Sequence, residues 1–171
     1  NATSIGNITA TGLDTGTSID FGTWGKAGTT VGDITWAGAF AGGADITIGA
    51  ALTVGAISTA AVTAGTVTVV LDNSTVVSTT MTGGAGVDAF TGTGGADTIS
   101  GAGGADALVG NSGNDTITGG AAVDTITGGA GDDNITGGAG ADSIIVSVQS
   151  GNGLDTVQLG VTDGTTILDV F

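Results

Sequence analysis

An aspartate recurs at every ninth residue, at Asp88, Asp97, Asp106, Asp115, Asp124, Asp133 and Asp142, and this spacing restricts the folds open to the chain more than any other feature. Two positions after each Asp stands one large apolar side chain: Phe90, Ile99, Leu108, Ile117, Ile126, Ile135 and Ile144. The seven units open Gly83-Gly84-Ala85-Gly86-Val87-Asp88, Gly92-Thr93-Gly94-Gly95-Ala96-Asp97, Gly101-Ala102-Gly103-Gly104-Ala105-Asp106, Gly110-Asn111-Ser112-Gly113-Asn114-Asp115, Gly119-Gly120-Ala121-Ala122-Val123-Asp124, Gly128-Gly129-Ala130-Gly131-Asp132-Asp133 and Gly137-Gly138-Ala139-Gly140-Ala141-Asp142. A flexible linker has no reason to hold an acid and an apolar residue in phase over seven units, so the stretch reads as a folded repeat.

The unit itself dictates a shape. Glycine-rich hexapeptides can take the left-handed backbone angles of a tight turn, and the three residues around the apolar position make a short strand with one face inward. Turn, strand, turn and strand close one coil in 18 residues. Turns two units apart then stack on the same edge, about 4.8 Å from each other. One edge collects Asp88, Asp106, Asp124 and Asp142, the other Asp97, Asp115 and Asp133. Carboxylates at that separation repel by roughly 0.9 kcal/mol in water and about 3.5 kcal/mol at an effective dielectric of 20. A cation is needed between them. Calcium suits the site because it accepts six to eight oxygen ligands in adaptable geometry, here carboxylates and turn carbonyls. Zinc and copper favour His or Cys, and the chain has neither.

The pattern G-G-x-G-x-D-x-U-x, with U apolar, resembles the RTX (repeat-in-toxin) family of secreted calcium-binding β-rolls. The resemblance covers residues 82–145 and implies a right-handed parallel β-roll. In that family each ion sits between two stacked turns, held by the Asp of each and by backbone carbonyls. Carried over, the carboxylate ligands are Asp88, Asp97, Asp106, Asp115, Asp124, Asp133 and Asp142, with Asp155 in a capping repeat. The implied turn glycines are Gly83, Gly86, Gly92, Gly95, Gly101, Gly104, Gly110, Gly113, Gly119, Gly128, Gly131, Gly137 and Gly140. About five calcium ions are expected, pairing Asp88 with Asp106, Asp106 with Asp124, Asp124 with Asp142, Asp97 with Asp115 and Asp115 with Asp133. Ala122 departs from the pattern, because a Cβ resists positive φ, and it makes the Gly119–Asp124 turn the one expected to bind weakly.

The expected fold class is all-β: a parallel β-roll or β-helix solenoid over 82–145, preceded in 1–81 by an irregular β-solenoid or a small β-sandwich and followed in 146–171 by a capping segment. In the first segment Ser4–Thr11 is echoed by Thr30–Ala37 and again by Gly43–Gly49. Thr66–Leu71 is rich in β-branched residues and predicts a strand, with Thr75–Met81 either its antiparallel return or the next rung. Phe21, Trp24, Trp36 and Phe40 crowd the N-terminal half near Lys26, as core or interface packing or as a platform for a cell-surface polysaccharide. Asp155 falls thirteen residues after Asp142 instead of nine and predicts an atypical terminal repeat. The tail Thr166–Phe171 is similar to the ends of type I secretion substrates.

Sixteen acids, all Asp, against one Lys and no Arg give a net charge of −15, which disfavours nucleic acid and anionic membrane as partners and favours cations. No apolar run approaches eighteen residues, so no membrane span is expected. Absence of Cys removes disulfides as a means of stapling a secreted β-protein. The chain starts at Asn1, which suggests a processed or engineered product or a piece of a longer protein. Without His, Cys, Glu, Tyr or Arg, acid–base catalysis would rest on Asp alone, so no enzyme activity is expected within this chain. The leading functional expectation is a calcium-dependent structural protein of the bacterial cell surface, such as an S-layer subunit, self-associating into a lattice or filament. The alternatives are a fragment of a type I-secreted adhesin and the RTX tail of a secreted enzyme.

Overall fold

The computed structural model describes residues 4–10, 17–20, 29–36, 44–48, 52–60, 62, 66–71, 78–146, 153–159 and 167–170. Among these the secondary structure is nineteen β-strands with no helix, and no helix is long and apolar enough to cross a membrane. Every strand pairing is parallel, and from Ala56–Ser58 onward successive strands alternate between two eight-stranded sheets. This is a solenoid, because parallel neighbours need a crossover connection and here each crossover is a rung of the opposite sheet.

Two apolar columns run through it. In the first sheet the register aligns Ile8, Ile34, Ile57, Met81, Ile99, Ile117, Ile135 and Val157. In the second it aligns Ile19, Ile46, Val69, Phe90, Leu108, Ile126, Ile144 and Leu168. Ile34 to Ile135 and Val69 to Ile144 are buried. Each such side chain contributes roughly 1.5–3 kcal/mol on leaving water. The flanking residues of each strand alternate outward, as in Thr116–Ala121, where Thr116 is exposed and Ile117 buried.

The N-terminal coils belong to the same two ladders, which selects the solenoid over the sandwich. Their lengths vary while the register holds: Ile8 to Ile34 spans 26 residues, Ile34 to Ile57 spans 23, and Ile57 to Met81 spans 24, whereas Met81 to Ile99 spans 18. Both ladders pass through position 82 without interruption. The longer coils have room for a third, short sheet made of Ser4–Ile5, Thr29–Val31 and Leu52–Val54.

Several sequence expectations are corrected. The echo of Thr30–Ala37 at Gly43–Gly49 is not the next rung of that sheet; Ala44–Ile48 pairs with Thr17–Asp20 and Thr66–Leu71 in the other. The true successor is Thr53-Val54-Gly55-Ala56-Ile57-Ser58. Thr66–Leu71 and Thr80–Thr82 lie in different sheets, so they are two rungs and not an antiparallel hairpin. Array strands extend beyond three residues into the glycine turns, with Gly120 paired to Gly138 and Ala121 to Ala139. The atypical terminal repeat of Asp155 continues the edge of Asp133, since Thr156–Gln158 adds to Asn134–Ala139. In the tail, Ile167–Val170 completes the second ladder beside Ser143–Val146. Phe21, Trp24, Lys26 and Phe40, and the side chain of Trp36, lie outside the described residues.

Candidate metal centre

The 18-residue coil brings the seven aspartates into two stacks and buries them, none more than 2 % exposed. A hydrogen-bond ladder fixes each stack. The Asp88 N–H donates to Asp106 Oδ1 at 2.8 Å, Asp106 N–H to Asp124 Oδ1 at 2.8 Å, and Asp124 N–H to Asp142 Oδ1 at 3.0 Å. On the opposite edge Asp97 N–H donates to Asp115 at 2.8 Å, Asp115 to Asp133 at 2.9 Å, and Asp133 to Asp155 at 3.0 Å. At every aspartate but Asp88 one oxygen therefore sets the register, and the other faces the turn.

That second oxygen is left without a partner at Asp106, Asp115, Asp124, Asp133 and Asp142, and at Asp88 the oxygen without a partner is Oδ1. An orphaned buried carboxylate oxygen carries its full desolvation penalty, several kcal/mol in order of magnitude. No basic side chain stands near among the described residues, since the single Lys lies outside them. Burial pushes the carboxyls of Asp88, Asp115 and Asp124 up to about 7, only partly offset by the backbone N–H each accepts, with neighbouring carboxylates raising them further. Asp97, Asp106 and Asp133 are raised by the same burial.

What Oδ2 faces in the first five turns is a cradle lined by carbonyls. A methyl carbon added at Gly83, Gly92, Gly101, Gly110 or Gly119 would fall within 3.0 Å of both its own unit's Asp Oδ2 and the carbonyl oxygen of the glycine eighteen residues on. Two hard oxygens converge on each of these points, from adjacent coils. At Gly128 and Gly137 the carboxylate is present, but no such carbonyl stands among the nearest atoms. No three acidic side chains gather among the described residues, so carboxylates alone cannot close a coordination shell and carbonyls must complete it. That donor set, oxygen only and mostly neutral, fits calcium.

Turn conformation supplies the carbonyls. Position 2 takes positive φ at Ala102 (74°), Asn111 (81°), Gly120, Gly129 and Gly138, and position 4 does so at Gly104, Gly113, Ala122 (80°), Gly131 and Gly140. Ala122 thus adopts the angle its Cβ was expected to resist, and Asp124 keeps the orphaned oxygen of its neighbours. Stacking between turns whose position 4 is Gly104 and Gly140 holds it there, against a strain of roughly 1–2 kcal/mol. The first two turns differ. Gly84 and Thr93 at position 2, and Gly86 and Gly95 at position 4, are not left-handed, and Gly84 N–H and Thr93 N–H donate to Asp88 Oδ2 and Asp97 Oδ2 at 2.9 and 2.6 Å. Sequence reasoning singled out Ala122 and missed this difference, for which Thr93 was the available signal: a β-branched residue disfavours the left-handed region.

Compared with known families, residues 82–117 and 109–144 match the family model described as RTX calcium-binding nonapeptide repeat (4 copies). No curated protein and no solved structure matches the chain.

Proposed function

Residues 82–144 belong to the RTX calcium-binding repeats, and from that premise we propose that the chain is a calcium-set piece of extracellular architecture, a fragment of a bacterial surface-layer subunit or comparable assembly. The repeats bind calcium. The observation that carries the wider reading is the double stack of buried, unpaired carboxylates in a chain of net charge −15. About five ions, one for each cradle that combines a carboxylate with a carbonyl of the next coil, bring +10 and reduce that charge to −5. Subunit repulsion then falls in the same step that orders the roll.

In this reading the chain stays unfolded over the array at the low calcium of the cytoplasm, is exported by a type I route, and assembles at the cell surface into a lattice or filament, with surface polysaccharide as a further partner. It turns over no substrate in this reading, since His, Cys, Glu and Tyr are absent and acid–base work would rest on Asp. An adhesin fragment would share the calcium chemistry without lattice formation, and an enzyme tail would place catalysis in sequence outside this chain. Light scattering and electron microscopy of the intact protein across a calcium titration separate these. Growth of ordered particles at millimolar calcium supports the structural role. A strict monomer that co-purifies with hydrolase activity refutes it in favour of the enzyme tail.

A further inference from the structure

The first coil of the array is built differently from the rest, and the difference falls on the atoms that would meet calcium. In the five later turns the second carboxylate oxygen has no partner. In the first two the Oδ2 that lines the cradle is already held by a backbone N–H, Asp88 Oδ2 by Gly84 and Asp97 Oδ2 by Thr93, and the oxygen left open at Asp88 is Oδ1. Thr93 adds its side chain, whose hydroxyl lies 3.1 Å from each Asp97 oxygen and accepts the Gly95 N–H at 3.1 Å. The other Asp97 oxygen accepts the N–H of Thr79 at 2.7 Å. Asp97 is thereby satisfied by protein donors alone.

The preceding segment reaches under this coil and locks it. Ala85 N–H donates to the Val62 carbonyl at 3.1 Å, and a side chain at Gly84 would collide with the Val62 and Thr59 carbonyls. Thr59 binds the Thr82 carbonyl through both its N–H, at 2.8 Å, and its hydroxyl, at 3.1 Å. The Thr79 hydroxyl reaches back to the Gly55 carbonyl at 3.1 Å. Below it the core is apolar, with Val54, Ile57, Val62, Val67, Val69 and Leu71 buried.

We propose that the coil from Thr79 to Asp97 is a calcium-independent seat, held by its own N–H donors and by the segment before it, and that it divides the array's ions into two classes. The positions shared by Asp106 with Asp124, Asp115 with Asp133, and Asp124 with Asp142 offer open carboxylates on both turns and bind tightly. Those shared by Asp88 with Asp106 and Asp97 with Asp115 must displace an N–H from the Oδ2 that converges with the carbonyl of the next coil, and they bind about tenfold or more weaker. Order then spreads from the seat towards Asp142 as calcium rises. This rests on the calcium reading of the array.

The full chain is titrated with calcium alone, followed by a calcium-selective electrode and calorimetry. The expected isotherm has three tight ions and then two weaker ones. Thr93→Gly removes the hydroxyl and frees the backbone to turn left-handed. It should move one ion from the weak class to the tight class, while Thr93→Ser should leave the isotherm unchanged. Amide exchange in chelator gives the independent readout: protection at Gly84 and Thr93, none at Asp106, Asp115 and Asp124. A single class of sites, an unshifted weak class in Thr93→Gly, or equal exchange at all five amides overturns the seat while leaving calcium binding intact. A chain that binds no calcium overturns both.

Discussion

Replacing Gly110 with Ala should remove one calcium ion without changing the charge of the protein. The backbone of Gly110 is not in the left-handed region, so the substitution brings no conformational strain of its own. Its Cβ, however, would overlap Asp115 Oδ2 and the Gly128 carbonyl oxygen, the two groups that would meet the ion shared with Asp133. The overlap is with backbone and with a carboxylate pinned by Asp97, so neither can swing away. Overpacking of this kind costs about 1–3 kcal/mol. Loss of one ion costs a further ~2.7 kcal/mol when calcium stands at a hundred times its dissociation constant. Gly103→Ala is the matched control: its Cβ would meet only Ala85 Cα at 3.6 Å and the Gly84 carbonyl at 3.7 Å, ordinary contacts, and its φ is also unstrained. The control should bind the full complement and gain up to about 1 kcal/mol through the unfolded chain. Ion counting by calcium-selective electrode and thermal unfolding in excess calcium read both effects. If Gly110→Ala binds as many ions as the unaltered chain, the convergence of Asp115 and Gly128 on that point is not a calcium site.

Asp115→Ala should cost more bound calcium than Asp142→Ala, because Asp115 is bonded to a carboxylate rung on both sides whereas Asp142 is bonded only to Asp124, and equal losses by equilibrium dialysis would contradict the stacking order. Ile117→Ala should destabilise the calcium-loaded protein by about 2–5 kcal/mol while Thr116→Ala stays within about 0.5 kcal/mol, measured by denaturant unfolding, since Ile117 is fully buried between Ile99 and Ile135 and Thr116 faces water. In the calcium-free chain, Asp88, Asp115 and Asp124 titrate near 7 when folded against an ordinary value of 3.8. A raised folded value means that the stabilisation is complete below about 4 and lost as pH rises through about 7, so acidification from pH 8 to 5 should increase β-structure in chelator. With calcium present the sign reverses, because protons compete for the ligands, and a calcium midpoint that does not rise on acidification would refute this.

The array was legible because its period is carried twice, by an acid and by an apolar residue, so strand, turn and stacking partner follow from counting. Asp133 over Asp115 needs only the number eighteen. The N-terminal coils were legible in part as strands, without Thr17–Asp20, Leu52–Val54 and Ala56–Ser58, and not as an order of strands. Their register is set by the column Ile8, Ile34, Ile57 and Met81, yet the turns between these residues differ in length, and spacing alone could not say which echo was the next rung. The echo at Gly43–Gly49 resembles one sheet, and its strand Ala44–Ile48 belongs to the other. Ala122 takes the positive φ that local propensity argues against, because the neighbouring turns impose the angle. The first coil escaped notice since Gly84 obeys the repeat; its different conformation comes from Val62 and Thr59, far earlier in the chain.

The claim that calcium orders the array is tested most directly by far-ultraviolet circular dichroism of the full chain in chelator, then with calcium, then with equimolar magnesium in its place. The stack of orphaned carboxylates predicts that much of the β-signal is missing in chelator, returns with calcium, and does not return with magnesium, which keeps its waters and requires rigid octahedral sites. A β-signal in chelator equal to that in calcium would contradict it.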